Sequence, residues 1–349
     1  MSSALVADAT LLANGTINFD VSDLFHQFWR LTVDGLEYGS IYALVAVGYT
    51  LVYGVLRLIN FAHSEVFMVG MFGQYVGLMV LGFTPSGDVY SEGIILTIVY
   101  LLVALVFGML VSGGTAVALE RIAYRPLRKR GAKPLIFLIT AIGMSFVLQE
   151  LVHVVLPKLT SGMSNPLGGT NAQHPIKLVA PTTEFTLFGA QVSNVTLVII
   201  ASAVALAIVT EILINRTKFG RGIRAVAQDP DTATLMGVSR ERIIVTTFLL
   251  GGLLAGAAAL LYTFKVPQGI IYNGGFILGI KAFSAAVLGG IGNLRGALLG
   301  GLLLGLAEDY GQIVFGTQWR DVVAFVVLVV VLMFRPTGIL GESLGRARV

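Results

Sequence analysis

The sequence predicts an all-α polytopic membrane protein of about 8–10 transmembrane helices, some of them broken or re-entrant. Three observations carry this expectation. Hydrophobic residues fill 56% of 349 positions and mean hydropathy is +0.85, outside the usage of a water-soluble domain. Only 12% of residues are charged, and most of the 23 basic and 19 acidic side chains sit in short runs that could not coat a soluble exterior. The apolar residues also gather into stretches near the roughly 20 residues that cross about 30 Å of hydrocarbon.

In chain order these stretches lie near residues 35–55, 58–82, 94–119, 134–156, 193–214, 243–264, 274–290, 296–315 and 320–335. Two of them are interrupted. Residues 60–74 carry His63 and Glu65 among several glycines, and the stretch around Lys281 runs into Gly289, Gly290 and Gly292. Both read as broken or re-entrant helices, which a bundle tolerates where the freed backbone faces protein or a wet cavity. Small-xxx-small spacings at Gly296, Gly300, Gly301 and Gly305, and again at Gly251, Gly252 and Gly256, let helix backbones approach closely. Packing within one subunit is the expected use, with a dimer seam as the alternative.

Basic residues orient the bundle. The connection ERIAYRPLRKRGAK (120–133) holds six Lys or Arg and residues 215–242 hold another six, so both are expected on the cytoplasmic side. The segment 157–192 between them holds only Lys158 and Lys177 and is expected outside, with the N-terminal segment 1–31. The start, MSSALVADATLLANG, lacks the basic n-region of a cleaved signal peptide. The expected organisation is one transmembrane permease domain over 1–349, with 215–242 as a cytoplasmic loop.

That loop contains FGRGIRAVAQDPDTATLMGVSRER (219–242), with seven charged side chains in a chain poor in them. Within it, DPDTATLMG predicts a two-turn helix. Asp229 can cap it, Pro230 suits the first turn, Asp231 favours the positive end, and Gly237 can close it in a left-handed conformation before Ser239 caps the next helix. Connections in bundles usually run two to eight residues, so a long, capped one asks for a purpose. A solvated loop anchored by arginines is one reading. A docking element is the other, with Ala233, Leu235, Met236 and Val238 as an apolar face for a cytosolic partner.

Seven stretches together make the chain resemble the permease subunits of branched-chain amino acid ABC importers, the high-affinity uptake systems for leucine, isoleucine and valine. They are GLEYGSIYALVAVGYTLVYGV (35–55), INFAHSE (59–65), ERIAYRPLR (120–128), AIGMSFVLQE (141–150), FGRGIRAVAQDPDTATLMGV (219–238), KAFSAAVLGGIGNLRGALLGG (281–301) and RPTGILG (335–341). Two positions depart from the family pattern: Ser64 stands where Gly is usual, and Glu150 where Asn or Asp is common. The resemblance implies the ABC importer permease fold and a coupling helix over Asp229, Pro230, Asp231, Ala233, Leu235, Met236 and Gly237, seated on a separate ATP-binding subunit. It implies an assembly of two ATPase chains, a second homologous permease, probably in a hetero-dimer, and an extracytoplasmic solute-binding protein, with no cofactor beyond the ATP held by the partners. The implied location is the cell (plasma or inner) membrane.

The residues themselves agree with a non-enzymatic subunit. No Gly-Lys dipeptide occurs, so the chain has no Walker A loop. Zero Cys excludes thiolate chemistry, and four scattered His show no metal-ligand spacing. Ionisable or amide side chains inside spans are costly and mark function by default. Asn60, His63, Glu65, Gln149, Glu150, Lys281 and Glu308 are therefore the candidate pathway residues, to be weighed against structural pairing. A urea or short-amide permease remains the neighbouring reading, and an ion-coupled secondary transporter the alternative from another class.

Overall fold

A computed structural model of the chain describes residues 21–82, 93–160, 179, 182–187, 189–266 and 271–341. The elements in order are α1 (Val21–His26), α2 (Phe28–Leu56), α3 (His63–Val80) and α4 (Ile94–Leu119), the last running through a π-turn, Glu120–Tyr124, into α5 (Arg125–Lys129). Next come α6 (Pro134–Glu150), a second π-turn (Leu151–Val155), α7 (Leu156–Leu159), and a hairpin of β1 (Thr183–Leu187) and β2 (Ala190–Ser193). Then follow α8 (Asn194–Arg216), α9 (Lys218–Gln228), α10 (Pro230–Leu235), α11 (Arg240–Lys265), α12 (Gly274–Gly289), α13 (Leu294–Phe315), a 3-10 turn (Thr317–Trp319) and α14 (Arg320–Phe334).

Among the described residues seven helical segments are long and apolar enough to cross a membrane: α2, α4 with its extension, α6 with its extension, α8, α11, α13 and Thr317–Phe334. The two stretches expected to be broken are the short ones. α3 has 18 residues and α12 has 16, about 27 and 24 Å at about 1.5 Å per residue, against about 30 Å of hydrocarbon. α2 and α11 are mostly buried and form the centre, whereas α14 is almost wholly exposed on the rim.

Local chemistry sets the boundaries. α8 starts where Ser193 Oγ accepts the Thr196 N–H, and α13 where Asn293 Oδ1 accepts from the N–H groups of Arg295 and Gly296. α2 begins at Phe28, seven residues before the apolar run suggests, because its first turns hold Asp34 and Glu37. Lys265, at the far end of α11, neutralises both and sits 2.9 Å from Asp34. The hairpin, antiparallel with Leu187 opposite Ala190, occupies part of the segment read as an external connection. The rest of that segment lies outside the described residues, as does Lys177.

The two basic connections meet at one end of the bundle. Arg125 Nε is 3.0 Å from Glu241 Oε2, which brings α5 to the start of α11. Arg57, just past α2, donates to the carbonyl of Ala227 in α9 at 3.0 Å. The C-terminal segment returns here too, its Ile339 N–H donating to Leu288 O at 2.9 Å. The starts of α2 and α14 and the finishes of α11 and α13 gather at the opposite end.

The glycine spacings are intrachain seams. Gly301 and Gly305 of α13 lie on Ala43, Gly35 and Gly39 of α2, so that a Cβ would collide with backbone. Gly252 and Gly256 of α11 do the same against Gly113 and Gly108 of α4. Hydrogen-sized side chains let these axes approach until main chains touch, which supplies the dispersion contact that holds helices together in lipid.

Candidate functional site

The interruption before α3 lies inside the bundle. After Arg57, held at φ 53 in the left-handed region as the C-cap of α2, the chain turns back inward and starts α3 beside the middle of α2. His63 packs its ring edge-on to Tyr49, with centroids 4.8 Å apart, and fills the space beside Gly48. Asn60, His63 and Glu65 are all buried, at 4%, 1% and 0% exposure. Tyr124, on the π-turn after α4, donates its hydroxyl to Asn60 Oδ1 at 2.7 Å. Ser145 of α6 donates to Glu65 Oε1 at 3.3 Å. Glu65 Oε2 and His63 Nε2 have no hydrogen-bond partner.

The other short helix meets this one at its start. Gly275 and Gly279 of α12 face Ser64, and a Cβ on Gly275 would lie 2.6 Å from Ser64 O and 3.2 Å from Glu65 Oε2. The hydroxyl that distinguishes this chain from the usual glycine donates to Phe61 O at 2.7 Å. Its Cβ occupies the space opposite Gly279. Two interrupted helices thus bring their N-terminal turns together in the interior, where the positive ends of the peptide dipoles are exposed to whatever passes.

Lys281 and Glu308 are partners of one another rather than independent groups. Lys281 Nζ lies 3.2 Å from Glu308 Oε1 and 2.6 Å from Asp321 Oδ1, while Arg320 reaches Glu308 at 3.3 Å and Asp309 at 3.1 Å. Tyr42 donates to Glu308 Oε2 at 2.8 Å, and Arg320 covers the Tyr38 ring at 4.1 Å. The cluster joins α2, α12, α13 and α14. Asp309, Arg320 and Asp321 were missed by sequence reading, although Asp309 adjoins Glu308 in an apolar run and the other two open the last one.

Glu150 does not join the interior groups, which corrects its reading as a pathway residue. It ends α6 on an exposed face, 65% exposed, 3.2 Å from His153 Nδ1, because the phase of α6 turns Ser145 inward and Glu150 outward. Gln149 beside it is half-buried.

At the basic end, α10 is built as expected from Asp229 to Gly237. Asp229 Oδ1 accepts the N–H groups of Asp231 and Thr232 at 3.0 and 3.1 Å, and Thr232 Oγ1 donates to Oδ2 at 2.6 Å. These bonds, led by the Thr232 hydroxyl, hold the Asp229 carboxyl below the usual carboxylate range. Pro230 occupies the first turn and Gly237 closes the helix at φ 85. Ser239 stands at the N-cap of α11 without a side-chain hydrogen bond. The apolar face needs correction. Ala233 is buried and Val238 packs on the core, since Val238 N–H folds back to Ala233 O. Leu235 and Met236 alone point outward, at 87% and 80% exposure. α9 was not expected. Thr217 caps it, and its buried face of Gly222, Ile223 and Val226 seats the loop on the bundle.

Among the described residues no three His, Cys, Asp or Glu are placed to hold a metal ion. A multi-span bundle with interior half-helices and a structured loop at its basic end is the architecture of a membrane permease. The chain matches the family model "Branched-chain amino acid transport system / permease component" over residues 31–332 and belongs to that family. It is 40% identical to the high-affinity branched-chain amino acid transport system permease protein BraD of Pseudomonas aeruginosa over 321 residues, 92% of this chain and 97% of that one. It is 37% identical to the corresponding LivH protein of Escherichia coli (strain K12), covering 92% and 98%. Identity to a probable branched-chain amino acid transport permease of Methanocaldococcus jannaschii is 28%, covering 89% and 92%. The chain is thus a transport permease component and a multi-pass protein of the cell membrane.

Proposed function

We propose that this chain is the permease subunit of an ATP-driven importer that moves branched-chain amino acids delivered by an external solute-binding protein. Two ATPase chains and a second permease complete the assembly, and residues 215–242 form its coupling loop on the cytoplasmic side. The observation that carries the reading is α10: a short helix, capped by its own residues, that holds two large apolar side chains in water at the basic end. Burial of Leu235 and Met236 in a partner's groove would recover the apolar area that the isolated chain leaves exposed. The twelve basic residues of the two neighbouring connections support the cytoplasmic placement. The substrate class rests on family membership and on the names of the relatives, and ATP enters as the partners' ligand.

The test is co-purification of the ATPase with wild-type permease and with a Gly237→Val, Leu235→Asp variant at matched membrane levels. A Cβ at Gly237 meets nothing within 4 Å, so valine strains only the backbone at φ 85, by about 1–2 kcal/mol. The expected result is normal abundance with ATPase recovery reduced at least about tenfold. Equal recovery with normal substrate-stimulated ATP turnover would sink the coupling assignment.

A further inference from the structure

Five carboxylates among the described residues are almost fully buried: Glu37, Glu65, Glu120, Glu308 and Asp309. Four of them face a cation. Glu37 meets Lys265, Glu120 lies 2.8 Å from Arg128, Glu308 lies between Lys281 and Arg320, and Asp309 is 3.1 Å from Arg320. Glu65 is 0% exposed, takes one neutral hydrogen bond from Ser145, and has no cation. A buried acid inside a bilayer costs several kcal/mol unless it is compensated, and this fold compensates every other one.

The surroundings of Glu65 indicate what completes it. Its free Oε2 looks onto the first turn of α12, at Gly275, where glycine lets the main chain approach. Asn273, at the N-cap, makes no side-chain cap bond, so the positive end of that 16-residue helix is not satisfied by its own cap. The neighbouring walls are apolar. Met68 packs at Gly275, and Met71 Cε lies 3.7 Å from a Cβ built on Gly274. An acceptor for a cation, a helix N-terminus suited to an anion and a thioether-lined wall therefore sit within one contact of each other.

We propose that Glu65 receives the α-ammonium of a zwitterionic aliphatic amino acid in transit, with the N-terminal turn of α12 receiving its carboxylate and Met68 and Met71 its side chain. This deepens the functional reading and rests on it. It also separates that reading from its neighbour, because urea and short amides carry no ammonium and would leave Glu65 uncompensated throughout transport.

The experiment uses the complete importer in proteoliposomes with its solute-binding protein, at matched permease levels. Leucine uptake should fall at least about tenfold in Glu65→Gln, which keeps the shape and loses the charge, and less in Glu65→Asp. A second measurement needs no variant. Modification of wild-type Glu65 by dicyclohexylcarbodiimide, followed by mass spectrometry of its peptide, should be slowed by L-leucine and unaffected by urea or by 4-methylpentanoate, which is leucine without its ammonium. Undiminished uptake in Glu65→Gln overturns the assignment, and so does modification that leucine does not slow. Equal slowing by 4-methylpentanoate overturns it as well. If Glu65→Gln does not reach the membrane, the protection experiment decides alone. Wild-type importer that takes up urea and not leucine would instead overturn the proposed substrate.

Discussion

The two ends of the bundle hold their charges differently. At the end away from the basic loops, Lys281, Glu308, Asp309, Arg320 and Asp321 link three helices, with Glu308 and Asp309 at 0% and 1% exposure. At the basic end, Arg128 bridges Glu120 and Glu241 at 2.8 and 2.9 Å, and Arg125 adds a bond to Glu241, yet Arg125 and Glu241 are each 39% exposed. Coulomb attraction is several times stronger where water is excluded, and so is the cost of leaving one member alone. The first cluster is therefore a fixed lock between spans. The second is a screened clamp that can reform, placed between the loop after α4 and the connection carrying α10.

The largest break should come from Arg320→Ala, which strips a cation from two buried acids at once. A loss of about 3–5 kcal/mol is expected, read as a lower thermal midpoint of the purified protein and reduced membrane abundance. Arg128→Ala should cost less, about 2 kcal/mol, because Glu120 is buried but one partner, Glu241, stays hydrated beside Arg125. Tyr124→Phe removes one buried hydroxyl and leaves Asn60 Oδ1 without its donor, for about 1 kcal/mol in the same assay. Glu241→Gln should be smallest, under about 1 kcal/mol, and its effect should vanish in high salt while that of Arg320→Ala persists. Equal salt sensitivity at the two ends would erase the distinction between lock and clamp.

Acid sharpens the comparison at a single helix. The Asp229 pKa is depressed in the folded chain, so its cap is fully present above the ordinary carboxylate value near 4 and is lost as pH falls through the lower folded value. Amide exchange at Asp231 and Thr232 should accelerate across that window in wild type. In Asp229→Ala it should be fast at every pH. Exchange in wild type that shows no such acceleration would remove Asp229 as the cap.

Much of this was readable from residue order. Hydrophobic run length placed the spans, because backbone desolvation in lipid leaves a chain few alternatives to helices. Gly and polar side chains flagged α3 and α12 as the two short helices, and Asp229, Pro230 and Gly237 marked α10 through purely local chemistry. The hidden features depend on which side chains meet after folding. Lys281 finds Glu308 only when α12 and α13 pack, so two candidate pathway residues became one ion pair. The inward turn of Ala233 comes from the closing bond to Val238, and the outward turn of Glu150 from the phase of α6. Asp34 and Glu37 shortened the apparent first span because their neutralising Lys265 lies more than two hundred residues away.

The π-turn at Glu120–Tyr124 has a consequence of phase. Closing its ring from Arg125 N–H to Glu120 O takes one residue more than an α-turn does. Each residue of an α-helix advances the chain by about 100° around the axis. Loss of any one residue there would allow ordinary helix to form without a break, with no apolar residue necessarily lost. Everything after it would then rotate by about 100°, carrying Arg125 and Arg128 away from Glu241. Length in this segment is thus constrained as tightly as identity: a single-codon deletion would act as a rotation, and the cytoplasmic face would be misaligned on a bundle still packed correctly.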